Sequence, residues 1–219
     1  EGNPLAAIED LARAAVERGL RVVEGDVVGD ATAYACEPAP DGWSQDDAAW
    51  EYGAPVSALT LNDNAFSLSI RPGARGGDPA RLRLNPAIEY YYIDNRIRTQ
   101  AGAAPLVNVE RRPGWLEIRL SGVVPPNWKG ATQILAVDDP ALYAAAACRL
   151  ALARLGVRIM GRAVARHRIS GDGGAGERTG YVELARRSSP PLVEILRVIN
   201  KVSQNLHAEL ALRPVRWMS

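Results

Sequence analysis

The chain has 219 residues, a formal net charge of +1 at pH 7, 47% hydrophobic residues and 23% charged ones. This is the composition of a globular protein able to bury a sizeable core, and the length admits one large or two small domains. It excludes the clustered basic face of a nucleic-acid binder and any run of about 20 apolar residues that would form a membrane-spanning helix. Cys36 and Cys148 are the only cysteines and His167 and His207 the only histidines, so neither a cysteine-only zinc site nor a histidine-rich metal site is available. No metal and no cofactor is expected. Pairing of the two cysteines stays open at this point. The only lysines are Lys129 and Lys201, and the arginine-dominated positive charge reads as genome composition. Glu1-Gly2-Asn3-Pro4 lacks a basic and then apolar leader, which leads us to expect either a removed leader or an internal piece of a longer chain.

Leu5, Ile8, Ala12, Ala15 and Val16 recur at spacings of three and four, which predicts a helix that Gly19 stops. Leu20 to Val28 reads as extended chain broken by Gly25. Period-two alternation then dominates residues 58 to 134, in Phe66, Leu68 and Ile70, in Leu82 and Leu84, and in Leu116, Ile118 and Leu120. Turn signals at Pro72-Gly73, Gly76-Gly77-Asp78-Pro79 and Arg112-Pro113-Gly114 separate these strands. Asp138 and Asp139 are N-cap residues for a helix with Pro140 at its first position, running from Leu142 to Leu155 and ended by Gly156. Val157 to Met160 begins another strand. The run Arg18-Gly19-Leu20-Arg21-Val22 thus has a weak echo in Leu155-Gly156-Val157-Arg158-Ile159, and two helix-Gly-strand units suggest two pieces of one α+β layer. Convergence on common helix-end chemistry accounts for the echo equally well.

Gly171 to Gly176 reads as a flexible turn, not a phosphate cradle, because the following Tyr181 to Leu184 looks extended where a helix would be required. Ser189 before Pro190-Pro191 is a helix start, and Leu192, Ile195, Leu196, Ile199 and Val202 follow at helical spacing. More helix-like sequence runs from Leu206 to Leu212.

The strongest chemical candidate is Ser203-Gln204-Asn205. On a regular helix a hydroxyl and a carboxamide two residues apart diverge by about 200°. To act together they must sit at a helix end or between two helices, where the hydroxyl can pass a proton and the amide can hold a carbonyl or orient a lysine. By spacing alone, a helix cap or turn explains the tripeptide better.

The surrounding residues change that reading. Ser188 to Leu196 and Asn200 to Glu209 resemble the Ser-x-Asn region of class C low-molecular-mass penicillin-binding proteins, which are serine D-Ala-D-Ala carboxypeptidases and endopeptidases. Gly25 to Asp30, Gly42 to Asp47, Tyr52 to Leu59 and Leu61-Asn62-Asp63-Asn64 resemble further family segments in consistent order. The resemblance implies an α+β domain, residues 1–57 and 135–182, inserted in a penicillin-binding domain. It implies a mostly-β domain, 58–134, nested within that insert, and a partial penicillin-binding catalytic domain of the serine beta-lactamase-like kind, 183–219. It also implies roles. Ser203 would relay a proton to the leaving amine, Asn205 would contact the substrate and the general-base lysine, and Asp47 and Tyr52 would face the stem peptide of peptidoglycan. A carboxylate at Asp47 suits a free amino group on that peptide. The bland readings are a surface loop carboxylate for Asp47, packing for Tyr52 and an exposed helix position for Lys201.

The family set also includes Ser-x-x-Lys and Lys-Thr-Gly. Neither Lys129 nor Lys201 has a serine three residues before it, and Arg178-Thr179-Gly180 precedes Ser203, in the wrong order. The chain by itself is therefore expected to be inactive. Peptidoglycan peptides, and beta-lactam antibiotics for the full-length protein, are the implied partners, in a periplasmic or other extracytoplasmic location. The alternatives are a non-catalytic cell-envelope module that binds peptidoglycan or a protein, and an unrelated hydrolase with Ser203 as nucleophile and His207, four residues on, as base. In either of the family readings the helices of residues 186–219 should pack incompletely, with Ile195, Leu196 and Ile199 short of partners.

Overall fold

The computed structural model describes residues 2–39, 43, 48–112, 114–169, 180–203 and 205–217, the last four of these as backbone only. Helix α1 (Ala6–Glu17) is followed by the short strands β1 (Val22–Val23) and β2 (Val27–Asp30). Six strands come next: β3 (Ala65–Arg71), β4 (Arg81–Asn85), β5 (Tyr92–Thr99), β6 (Leu106–Arg111), β7 (Glu117–Val124) and β8 (Ala131–Ala136). Helix α2 (Pro140–Arg154) leads into β9 (Arg158–Ile159) and β10 (Ala163–Arg166), and the chain closes with α3 (Leu192–Val202) and α4 (Asn205–Trp217). The fold is α+β.

The echo in the sequence corresponds to a physical pair. α1 ends with Gly19 at φ 98° while Gly19 N–H donates to Val16 O at 3.0 Å and Leu20 N–H to Ala15 O at 3.1 Å. α2 ends the same way, with Gly156 at φ 82°, Gly156 N–H on Ala153 O at 3.0 Å and Val157 N–H on Leu152 O at 3.1 Å. Both are the left-handed glycine closure that satisfies a helix's last carbonyls. The two chains then leave side by side. β1 pairs in parallel with β9, Val22 opposite Arg158, and β2 with β10, Val27 opposite Ala163. α1 packs on α2, and Ala12, Ala151, Leu152 and Val157 form a small core beneath them.

The N-terminus of α2 is built as the sequence predicts. Asp139 Oδ1 accepts from the N–H groups of Ala141 and Leu142, each at 3.0 Å, and Pro140 opens the helix. Its oxygen therefore occupies two of the amides that a helix start leaves without partners. Ser189 does not play this part for α3. The residue before that helix is Pro191 and no side chain caps it, because the prolines themselves supply the extended entry.

The alternating strands form two three-stranded sheets. β4, β3 and β8 lie in that order, all antiparallel. β7 lies between β5, to which it is parallel, and β6, to which it is antiparallel. β5 and β6 escape the sequence reading, β5 because its inward row mixes Ile93 and Ile97 with Asn95 and Thr99, and β6 because only Val107 and Val109 mark its inward face before Arg111. Asn95 faces in and donates to Ala80 O at 2.7 Å, and Arg111 ends the inward row of β6. Phe66, Leu68, Ile70, Ile97, Ile118, Leu120 and Leu135 form the main core, which continues into Tyr143, Ala144 and Ala147 of α2. The sheets and α2 thus bury one another, each supplying the apolar face the other lacks.

Candidate functional site at the junction of the last two helices

The Ser-x-Asn tripeptide lies at the junction of α3 and α4. Ser203 is the residue after α3, with its N–H on Ile199 O at 2.8 Å and its backbone left-handed at φ 55° and ψ 44°. Asn205 is the first residue of α4. The two side chains therefore belong to different helices and the 200° divergence of a single helix does not apply to them. Both residues are exposed, as is Lys201. Gln204 lies outside the described residues. The break also removes the argument that put Ser203 and His207 on one helix face, since the helix does not run through both.

α4 is held by the rest of the chain at two places. Leu206 is buried, and next to it His207 Nε2 lies 2.8 Å from Asp63 Oδ1. Further along, Arg213 donates to Glu37 O at 2.6 Å and Ala35 O at 3.2 Å, with its guanidinium 5.2 Å from the centre of the Tyr34 ring. Burial pushes the Tyr34 hydroxyl pKa up and the guanidinium partly offsets it. α3 differs: none of its residues is buried, and Leu192, Val193, Leu196, Val198 and Val202 are exposed. The incomplete packing expected over 186–219 is thus seen in part: Leu196 is exposed, Ile195 and Ile199 are half-buried, and α4 is anchored.

Of the substrate-side candidates, Asp47 lies outside the described residues. Tyr52 sits in a single 3-10 turn, Glu51–Gly53, and is 54% exposed, so it is free to touch a ligand instead of filling a core. Among the described residues no hydrogen bond joins Tyr52 to Ser203 or Asn205. The segment just before this turn is held by an unforeseen residue. Arg111 Nη2 donates to Ala48 O at 2.8 Å, while Nη1 donates to Ala136 O and, at 3.0 Å, to Tyr91 Oη. A planar guanidinium meets three acceptors at once in this way, where a lysine ammonium would meet fewer in fixed geometry. Ala49 O accepts from Ala136 N–H at 3.0 Å and Trp50 bridges to Leu135, so this stretch is tied along the edge of β8.

A second set of reactive groups surrounds Cys36. Its thiol shares a small pocket with Ser57 and His167, and His167 Nε2 lies 3.0 Å from Asp139 Oδ2. Partial burial and the Asp139 carboxylate push the pKa of the otherwise exposed Cys36 thiol up, against the opposing pull of Arg213. Cys148 packs in the small core under the helices, and both cysteines are free thiols. Among the described residues no group of His, Cys, Asp and Glu could hold a metal ion, and no helix is long and apolar enough to cross a membrane.

Comparison with known proteins decides the family. The model of the D-Ala-D-Ala carboxypeptidase 3 (S13) family matches residues 4–217. The chain belongs to this family. Among S13 relatives, it is 32% identical over 225 residues to the D-alanyl-D-alanine carboxypeptidase of Actinomadura sp. (strain R39), covering 98% of this chain and 40% of that protein. Its fold matches penicillin binding protein 4 (dacB) from Haemophilus influenzae at a TM-score of 0.72 and 18% identity, over 93% of this chain and 43% of the other. A second structure of that protein, complexed with a novel beta-lactam, matches at a TM-score of 0.62 and 19% identity, over 94% and 43%. The chain spans about two fifths of the length of the relatives it matches. In this S13 chain, then, sequence reasoning singled out Ser203 and Asn205 but gave no role to Asp63, Arg111 and Arg213, whose side chains make the contacts described above. Leu61-Asn62-Asp63-Asn64 carried a usable signal, because a run of Asn and Asp tolerates left-handed backbone.

Proposed function

We propose that this chain is the inserted-domain and Ser-x-Asn portion of a serine D-Ala-D-Ala carboxypeptidase/endopeptidase acting on peptidoglycan stem peptides outside the cytoplasm. The likeness to the D-alanyl-D-alanine carboxypeptidase of Actinomadura, which runs the length of this chain, carries the reading. The exposed elbow between α3 and α4 supports it, since a proton relay and an amide must both be open to substrate. The division into an α+β domain (1–57 and 135–182), a nested mostly-β domain (58–134) and a catalytic piece (183–219) belongs to the same proposal.

In the proposed reaction a serine Oγ attacks the D-Ala carbonyl carbon, the C–N bond to the terminal D-Ala breaks, and an ester to the enzyme forms. Ser203 passes the proton that the departing amine requires, and Asn205 holds the substrate amide and the general-base lysine. Water then cleaves the ester. Asp47 and Tyr52 contact the stem peptide. The nucleophile with its lysine and the Lys-Thr-Gly motif are not among these 219 residues, so this chain alone is inactive in the proposal. Beta-lactams are the expected covalent ligands of the whole gene product.

Intact-mass measurement after incubation with a penicillin tests this. The whole gene product should gain the mass of the drug and this chain should not. Acylation of this chain would make one of its own serines the nucleophile and remove Ser203 from the relay role. The other reading, a non-catalytic envelope-binding module, is favoured by one feature: a cleft of about 240 Å³ on the β5–β7–β6 sheet, lined by Glu110, Arg112, Trp115, Glu117 and Arg119. Binding of muropeptides to a whole gene product that takes up no penicillin would select that reading.

A further inference from the structure

Asn62, Asp63 and Asn64 are three consecutive non-glycine residues with left-handed backbone, at φ 50°, 52° and 53°. Strain of this kind persists only where its surroundings over-determine it. Here they do. Asn64 is fully buried, its amide donates to Pro55 O at 2.8 Å, and its side-chain oxygen accepts from Leu61 N–H at 3.2 Å. Its carbonyl accepts from Val137 N–H at 2.7 Å, just beyond β8, and the Asn62 amide donates to Ala65 O at 2.7 Å.

The product of this strained turn is the position of one carboxylate. Asp63 is more than half exposed, contributes nothing to the core, and meets His207 Nε2 at 2.8 Å. His207 lies in the first turn of α4, two residues after Asn205, and the adjacent Leu206 is buried. No residue of α3 is buried. The elbow that carries Ser203 and Asn205 is therefore fixed from the α4 side, by contacts that begin at the turn.

We propose that Asp63 is a positioning residue for the Ser203–Asn205 elbow: through His207 it sets the first turn of α4 and thereby the direction of the relay hydroxyl and the amide. The proposal rests on the relay reading given above. A displaced relay must slow the expulsion of an amine, which leaves only with a proton, more than the expulsion of a thiolate, which needs none.

The test uses the whole gene product and compares a D-Ala-D-Ala peptide with its thioester counterpart. Asp63→Gly suits the left-handed backbone and removes only the carboxylate. It should lower kcat on the peptide by about tenfold or more, the scale on which small misplacements act, with the thioester changed several-fold less and Tm kept. Asp63→Asn, which retains an acceptor and the backbone preference, should restore most of the rate. His207→Ala should match Asp63→Gly, and the double variant should be no slower than either single. Wild-type rates on the peptide in Asp63→Gly, or equal losses on both substrates, would overturn the proposal. If the wild-type protein takes up no penicillin, the relay reading itself falls. Hydrogen exchange on this chain still decides the structural half, since Asp63→Gly must speed the amides of residues 206–209, and unchanged protection there refutes it.

Discussion

Asn64→Ala is the sharpest probe of how the turn before β3 is held. The substitution leaves the Leu61 N–H and the Pro55 carbonyl without the partners they have at 3.2 and 2.8 Å. A buried polar group left unsatisfied costs about 1–3 kcal/mol. The backbone adds to this, because φ at residue 64 is 53° and alanine resists that region by about 1 kcal/mol more than asparagine. With the two unpaired groups taken together at about 2–4 kcal/mol, the lower part of their range, the expected loss is roughly 3–5 kcal/mol, large for a single substitution. With an urea m-value of about 2 kcal/mol/M the unfolding midpoint should fall by about 2 M at unchanged slope. Circular dichroism at increasing urea gives that midpoint directly. Asn64→Gly separates the two contributions, since glycine relieves the backbone but restores neither hydrogen bond, so it should recover about 1 kcal/mol. If Asn64→Ala unfolds at the wild-type urea concentration, the hydrogen bonds carry no weight. If glycine and alanine unfold together, the backbone argument is wrong.

Two further outcomes follow from the same contacts. Arg111→Met keeps the aliphatic stem but loses the bonds to Ala48 O, Ala136 O and Tyr91 Oη; it should cost about 2–3 kcal/mol and make the chain near residues 48–50 cleave faster in limited proteolysis. Burial pushes the hydroxyl pKa values of Tyr90, Tyr91 and Tyr143 upward, helped at Tyr90 and Tyr143 by the neighbouring Tyr91 and opposed at Tyr91 by Arg111. These three of the chain's seven tyrosines stay protonated in the fold after the unfolded chain has released its protons. Stability should therefore fall as pH rises above the unfolded tyrosine value of about 10. Absorbance at 295 nm should show their share of phenolate appearing only as the protein unfolds; smooth ionisation of all seven in a folded chain would refute it.

The two helix-Gly-strand units were legible because local chemistry dictates them: Asp139 and Pro140 start α2, and Gly19 and Gly156 close their helices in the same left-handed way. What the sequence did not settle is that these units pair with each other. Parallel pairing of Val22 with Arg158 joins residues far apart in the chain and leaves no local mark. The strands around Phe66, Leu82 and Ile118 were legible because their inward rows are apolar. β5 was not, since Asn95 and Thr99 interrupt its inward row, and β6 offers only Val107 and Val109 before Arg111, whose carbonyl partners only the folded chain provides. Ser203 and Asn205 were singled out through their neighbours in sequence, yet the feature that places them at a break between two helices, a left-handed backbone at Ser203, is conformational.

The contrast between α3 and α4 connects the family relation to the physics of this chain. Both helices present apolar residues at helical spacing, so pattern alone makes them equals. α4 is anchored by side chains with polar reach, His207 to Asp63 and Arg213 to the carbonyls of Ala35 and Glu37, beside the buried Leu206. α3 makes none of these contacts and exposes Leu192, Val193, Leu196, Val198 and Val202 together. A row of that kind is a surface suited to burial against further protein. Since this chain spans about two fifths of its relatives, the proposal that residues 183–219 are one piece of a larger catalytic domain accounts for both helices. In that proposal α4 would face Asp63, Ala35 and Glu37, which it already contacts, and α3 would face the remainder of the catalytic domain. Ser203 stands where the two meet, which makes its orientation a property of both.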